Sequence, residues 1–218
     1  HRKKLYPNGV SLVGRRPDDE KNFEFAASTD TWVRTVNFAN APDGTLHVCD
    51  MYREVIEHPW SLPEEIKKHL DLNNGNTRGR IYRIVPTDAK WSRRGSVALG
   101  KASTAELVAT LEHTNGWHRD TASRLIYERQ DKTAVTALAK LVRESKAPLA
   151  RFHALGALDG LGALGETAVI AALGDADAHV RERGIVLAEK LIARGAPSAT
   201  VIEKLAALAS DTDARVRF

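Results

Sequence analysis

The segment 50–54, Asp-Met-Tyr-Arg-Glu, carries the residue types best suited to chemistry in this chain, and it follows directly on a predicted strand. A carboxylate or an imidazole acts as a general base, so Asp50 and His58 are the candidate catalytic residues. A guanidinium group offers a planar fork that fits a carboxylate. Three arginines are candidates for that second role: Arg53, Arg78 and Arg80.

A structural interpretation of the same residues stays open. Asp50 would then cap the turn after its strand, and Arg53 would pair with Glu57 one helical turn further on. Arg78 and Arg80 would lie on a solvated sheet edge. The sequence alone does not decide between these two interpretations.

Several other classes of protein are excluded by composition. The 218 residues carry 32 basic and 28 acidic side chains, interleaved along the whole length, which is not the footprint of a nucleic-acid-binding protein. No stretch approaches the roughly 18 to 20 apolar residues of a membrane span. The histidines have no metal-ligand spacing, and Cys49, which lacks a second cysteine, is expected to be a small buried filler.

Composition also divides the chain into two halves. Residues 1–90 contain five alanines and residues 91–218 contain 26, whereas nine of the thirteen aromatic residues lie in residues 1–91. A domain boundary between Pro86 and Ser96 follows. We therefore expect one domain over residues 1–90 and a second over residues 91–218.

The first half carries strand and turn patterns. Val33–Phe38 and Thr45–Cys49 flank a Pro-Asp-Gly turn at 42–44, which predicts a hairpin. Tyr6–Val13 predicts a second hairpin around an Asn-Gly turn, and Gly79–Val85 predicts one further strand. Five short strands cannot close a barrel or a propeller by themselves, so we expect further strands upstream.

The second half has helical periodicity. Capping boxes at 103–106 and 200–203 predict two helix starts. An arginine recurs at spacings of 32, 30 and 36 residues: Arg119, Arg151, Arg181 and Arg217. A small residue follows each of the first three by three positions. Two helices per unit with a small residue at a close crossing are typical of an α-solenoid. Because the arginine recurs in register, we expect it to bond an acid or a carbonyl of a neighbouring repeat.

These motifs together resemble a known family. The runs Asn37–Pro59 and Arg78–Ile84, followed by Asn115–Ala122, resemble the membrane-bound dehydrogenase family of planctomycetes and verrucomicrobia. The resemblance covers nearly the whole chain and implies the last strands of a β-propeller, similar to quinoprotein glucose and sorbosone dehydrogenases, followed by HEAT-like repeats. The expected fold class is therefore mixed, a partial β-propeller before an α-helical HEAT-like solenoid.

The resemblance also implies a mechanism. Asp50 or His58 would take the hydroxyl proton of a sugar or an alcohol while hydride passes to pyrroloquinoline quinone (PQQ), often with bound Ca²⁺. The cofactor would be held by four residues: Tyr52, Arg53, Arg78 and Arg80. No CxxCH motif occurs in the chain, so a haem c domain, if the protein has one, would lie beyond Phe218. The implied location is periplasmic or otherwise extracytoplasmic.

Two further functions are alternatives. In the first, the propeller and the solenoid form a non-catalytic scaffold that presents the HEAT surface to a cytochrome or another protein. In the second, the helical part is a purely structural or lyase-like HEAT module. Because the chain opens at His1 and ends in the first turn of a predicted helix, we expect it to be an inactive, C-terminally truncated segment of a longer protein.

Overall fold

The structure is a computed structural model that describes residues 1–56, 58–87, 97–195 and 197–218. It divides into two compact units. The first unit comprises His1–Lys4 and Arg16–Gly95, and the second comprises Leu5–Arg15 and Ser96–Phe218. Most of the predicted boundary region, residues 88–96, lies outside the described residues.

The strands form two small antiparallel sheets in the described residues. Strands β1 (Lys4–Asn8) and β2 (Ser11–Arg15) make a two-stranded hairpin. Strands β3 (Thr35–Asn40), β4 (Leu46–Asp50) and β5 (Arg80–Ile84) make a three-stranded sheet with β4 in the centre. The β3–β4 connection contains the predicted turn, in which Gly44 has a φ of 85° and donates to the carbonyl of Ala41.

The partial β-propeller predicted for the first half is wrong. Three strands in the order β3-β4-β5 form an open sheet, β1 and β2 form a sheet of their own, and neither closes into a barrel or a propeller in the described part of the chain. Period-two alternation and glycine turns are local signals, and they are the same in any antiparallel hairpin. The number of strands in a sheet depends on pairing between distant segments, which those signals do not encode.

Most of the helices in the described residues belong to the second unit. Helix α1 (Glu64–Lys67) is a single turn in the first unit. The second unit contains α2 (Thr104–Thr110), α3 (Gly116–Arg129), α4 (Ala134–Glu144), α5 (Pro148–Gly160), α6 (Glu166–Leu173), α7 (Ala178–Arg194), α8 (Ala199–Leu208) and α9 (Ala214–Arg217). Short 3₁₀ turns at Asp18–Glu20, Pro59–Ser61 and Leu99–Lys101 complete the elements.

Helices of the second unit stack in pairs. Each of α2, α4 and α6 packs on the helix that follows it, and α8 packs on α6, while α3, α5, α7 and α9 contact one another in sequence as one layer. The first helices of the pairs form the other layer, and the core between the layers consists of aliphatic side chains. The largest fully buried ones include Leu107, Leu138, Leu155 and Leu187. This is the arrangement of a stacked helical repeat, with two helices per unit as the spacing predicts.

Side-chain caps account for the starts of α2, α3, α7 and α9. Ser103 caps α2 in a capping box with Glu106, as predicted. The second predicted capping box, at 200–203, is wrong, because α8 starts earlier with Ser198 at its N-cap. The backbone N–H of Ser198 donates to Glu166 Oε1 over 2.9 Å, so a contact with the preceding repeat fixes this start.

The recurring arginines hold the turns at which the second helices begin. In all four, Nη1 donates to the carbonyl six residues earlier, as Arg151 does to Ser145 over 2.7 Å. Two of them also reach the next repeat through two parallel bonds: Arg151 to Asp175 at 2.6 and 2.6 Å, and Arg181 to Asp211 at 2.7 and 2.8 Å. The role expected from their register, bonding an acid of the neighbouring repeat, is confirmed at these two interfaces.

We call the pairs Arg151–Asp175 and Arg181–Asp211 the arginine ladder. Its aspartates also order their own turns. Asp175 Oδ1 accepts from the N–H of Asp177 over 2.8 Å, and Asp177 in turn caps α7 by accepting from His179. Asp211 and Asp213 repeat the arrangement before α9. Each aspartate therefore joins a helix cap in its own repeat to the arginine of the previous one.

The first interface lacks the acid. Ser145 occupies the position that Asp175 and Asp211 occupy in the later repeats, and its hydroxyl donates to Glu112. Arg119 keeps its bonds to the carbonyls of His113 and Thr114, but its Nε is buried without an acceptor in the described residues. The ladder thus begins with Arg151.

We expect the Arg181→Gln variant to unfold at a lower urea concentration than the wild type at neutral pH. Arg181 and the backbone N–H of Asp213 lower the pKa of Asp211 below its ordinary value of 3.8. The stabilisation is therefore present above that ordinary pKa and is lost as pH falls through the lower pKa of the folded state. Unfolding midpoints of the two proteins should converge on acidification.

Arg143→Gln is the matched control, since Arg143 is an exposed arginine outside the ladder. Its midpoint should stay near that of the wild type at every pH. If Arg181→Gln behaves in the same way, the ladder does not stabilise the stack.

Gly184 lies where α7 crosses α6 most closely. A Cβ atom there would meet the backbone N of Leu173 at 2.9 Å and the carbonyl carbon of Ala172 at 3.0 Å. In the repeat register, Gly184 corresponds to Ala122 and Ala154, both fully buried. The small residue predicted at the helix crossing is therefore required by the packing.

We expect Gly184→Val to destabilise the protein by about 1–3 kcal/mol or more, because the added side chain clashes with backbone atoms. Ala193→Val, at an exposed position of the same helix, controls for the helix propensity of valine. Urea unfolding followed by circular dichroism measures both. Equal effects of the two substitutions would contradict the close crossing.

Candidate functional site

Asp50 is the buried end of β4, with a relative exposure of 2%. Its Oδ1 accepts two backbone hydrogen bonds, from Arg34 over 2.8 Å and from Tyr52 over 2.9 Å. Its Oδ2 is buried and has no partner in the described residues. The carboxylate therefore ties the entry of β3 to the turn that follows β4, which is the structural interpretation of this residue.

Tyr52 is held in that turn from several sides. Its φ of 52° is in the left-handed region, and its carbonyl lies so close to Gly75 that a Cβ there would meet the oxygen at 2.5 Å. The ring packs against Trp32, with 5.8 Å between centroids, and beneath the guanidinium of Arg80 at 3.9 Å. Gly75 is the residue that permits this close approach, since its own φ is 89°.

Arg80 is bonded within the sheet. It is the cross-strand partner of Asp50, its Nη1 donates to the hydroxyl of Tyr82 over 2.8 Å, and its Nε donates to the carbonyl of Arg78 over 3.3 Å. The bond with Tyr82 raises the pKa of Arg80. Stacking on Tyr52 occupies one face of this guanidinium, and the bonds to Tyr82 and Arg78 use two of its five N–H donors.

Asp30 belongs to the same cluster, although the sequence did not single it out. Its Oδ1 accepts from the N–H of Trp32 over 3.0 Å. That bond, a bond with the Tyr52 side chain and the nearby charges of Arg80 and Arg34 lower the pKa of Asp30. The signal in the sequence was the Ser-Thr-Asp turn at 28–30, which is common to many loops.

In the described part of the chain, the side chains of the other predicted site residues make no hydrogen bond or ion pair with this cluster, although the carbonyl of Arg78 accepts from Arg80 and the N–H of Arg53 donates to the carbonyl of Trp32 over 3.0 Å. His58 is exposed, and its Nδ1 accepts from the N–H of Trp60 over 3.2 Å in a local turn. Arg78 is exposed next to β5. Arg53 is half-buried with Nη1 lacking an acceptor, and its suggested partner Glu57 lies outside the described residues. The structure thus brings together three of the predicted site residues, Asp50, Tyr52 and Arg80. With Trp32 and Asp30 they form what we call the Asp50 cluster.

The resemblance implies that PQQ and Ca²⁺ bind these residues. Arg80 is stacked on Tyr52 and bonded to Tyr82, and Asp50 Oδ1 is occupied by two backbone amides, whereas Arg53 Nη1 has no acceptor among the described residues. PQQ binding therefore stays a prediction. Among the described residues, no group of three or more His, Cys, Asp or Glu side chains could hold a metal ion such as Ca²⁺. We derive no catalytic step through either group.

A second candidate site lies on the α3–α5–α7 layer. A groove of about 360 Å³ opens there, in the size range of ligand pockets. Its lining comes from three successive repeats: Ser123, Arg124, Tyr127, Phe152, His153, Gly156, Ala157 and Arg183. We call it the layer groove. It differs from the surroundings of Asp50 in being open to the surface.

Contacts between repeats shape the layer groove. The Tyr127 ring packs over Gly160, where a Cβ would meet it at 2.8 Å. His153 Nδ1 is 3.0 Å from the hydroxyl of Ser123, and burial lowers the pKa of His153. Arg183 lies over the Phe152 ring, with Cζ 5.4 Å from its centroid. Sequence reasoning missed this groove because its lining residues lie on three helices that are distant in sequence.

Comparison with known proteins gives one match. Residues 1–88 match the family model of a domain of unknown function (DUF7133), which covers less than half of the chain. No curated protein and no solved structure shows significant similarity to the chain. The predictions of a β-propeller, a quinoprotein and a dehydrogenase therefore receive no support from relatives, and the open sheets contradict the first of them.

Among the described helices, none combines the length and the apolar character that crossing a bilayer requires.

We expect Asp50→Ala to destabilise the protein by about 1–3 kcal/mol, because two backbone N–H groups lose their acceptor. Asp50→Asn keeps an oxygen that accepts both bonds and should restore most of the stability. Thermal unfolding of the two variants and the wild type measures the difference. Wild-type stability in Asp50→Ala would show that the carboxylate is not structural.

Proposed function

We propose that the chain is a non-catalytic scaffold that binds another protein through the α3–α5–α7 layer. The layer groove is the observation that carries this proposal, because it is an open recess that three successive repeats build together. Stacked repeats commonly bind partners on an extended face of one helix layer. Exposed apolar side chains on the same layer, among them Tyr127 at 60% and Val186 at 42%, supply contact area.

The Asp50 cluster supports a non-catalytic role by contrast. Its carboxylate and its stacked guanidinium make bonds within their own unit, so they serve the turn after β4 rather than a substrate. A general base has to reach the proton that it removes, and Asp50 is only 2% exposed. The partner that we propose is therefore a protein segment on the helical layer.

We also propose a relationship to the family that the motifs resemble. The runs Asn37–Pro59 and Asn115–Ala122 occur in the order that family has, and an extracytoplasmic location would follow. The proposal concerns relationship and location only. A cytochrome is the partner that this relationship suggests, and the layer groove is the place where we expect a partner to bind.

A photo-crosslinking residue at position 127 tests the scaffold proposal. Position 127 is exposed beside the layer groove, whereas Lys140 is exposed on α4 in the other layer and provides the control position. In an extract of the source organism, we expect a protein adduct from position 127 and none from position 140. The adduct should disappear when Gly156→Leu fills the groove.

Equal adducts from the two positions, or an adduct that survives Gly156→Leu, would contradict binding at this layer. Circular dichroism of each variant establishes that the helices are intact.

A further inference from the structure

Arg183 has an unusual environment among the arginines of α7. Arg181 pairs with Asp211, and Arg194 lies 3.7 Å from Asp159. Arg183 has no hydrogen-bond acceptor and no ion-pair partner in the part of the chain that the structure describes, and its Nε is buried without an acceptor. Its cation–π contact with Phe152 leaves the hydrogen-bonding edge of the guanidinium unused.

The rest of the layer groove offers no anion to this cation. Its lining contains two guanidinium groups and no carboxylate. Arg124 is paired with Glu128 over 2.9 Å along α3, which leaves Arg183 as the lining cation without a partner. The other acid that ion-pairs with a lining residue in the described part of the chain is Asp120, 3.8 Å from His153 Nε2 and 75% exposed.

We propose that the layer groove binds a carboxylate of the partner protein, with Arg183 as its principal contact. The inference rests on the proposed scaffold function and specifies the chemistry of the partner. A carboxylate fits the fork of a guanidinium with two parallel bonds, and a half-buried site strengthens them. The partner segment is acidic, with an apolar side chain next to the acid that packs on Phe152 and Ala157.

Gly156 keeps the groove open beside Arg183. A Cβ at this position would lie 3.3 Å from Arg183 Nη2, so even a methyl group would crowd the guanidinium. The aligned positions of the neighbouring repeats are Arg124 and Val186, both larger. Glycine inside a helix is unfavourable by about 1 kcal/mol relative to alanine, and here its small size makes room for a ligand.

Fluorescence anisotropy of labelled peptides with the whole 218-residue chain tests the proposal. The probes are short peptides that alternate Asp or Glu with Leu or Phe, and matched peptides that carry Asn or Gln in place of the acids. We expect the acidic peptides to bind roughly tenfold more tightly, as for a charged hydrogen bond. In Arg183→Gln this preference should disappear, and in Gly156→Leu both sets should bind weakly.

Arg194→Gln is the control on the same helix, and it should bind as the wild type does. Equal affinity for acidic and amide peptides, a preference unchanged in Arg183→Gln, or no binding of acidic peptides would each overturn the carboxylate site. Face-specific crosslinking from position 127 would still stand in those cases. Loss of that crosslinking with acidic peptides still bound would instead remove the scaffold function.

Discussion

The paired hydrogen bonds between an arginine and the aspartate of the next repeat are the interaction on which the helical unit depends. Each pair fixes a turn and a helix cap at once. The arginine also bonds the carbonyl six residues before it, and the aspartate also orders the cap of a helix in the next repeat. The planar guanidinium allows this, since its donors point in fixed directions. Turn, cap and neighbouring repeat are thereby held in one register at Arg151–Asp175 and at Arg181–Asp211.

The layer groove follows from that register. Its walls come from three helices. If one repeat moved relative to its neighbour, Arg183 would separate from Phe152, or Tyr127 from Gly160. Arg151 and Arg181 on the same layer are each bonded to an aspartate. Arg183, which stacks on an aromatic ring and has no acceptor among the described residues, is therefore a group available to a ligand.

Much of the helical unit was predictable, because its sequence patterns act within one repeat or between adjacent repeats. These patterns are the arginine register, the capping box at Ser103 and the small residue at Gly184. The sheet was predictable only as hairpins, since strand number depends on distant pairing. Asp50 was correctly placed at the end of its strand, and its burial favours the turn cap over the general base, the two roles that the sequence left open. In the sequence, nothing distinguishes Arg183 from other charged residues on a helix, and its contact with Phe152 is visible only in the structure.

Nuclear magnetic resonance of the Arg183 Nε–H group during titration with an acidic peptide tests the central claim most directly. That group is buried without an acceptor among the described residues and belongs to the same guanidinium as the Nη groups, so a carboxylate bound at those groups should shift its proton signal. The account predicts this shift together with changes at Phe152 and Gly156, and little change at Asp50 or Tyr52. Shifts confined to the Asp50 cluster, with Arg183 unmoved, would contradict it.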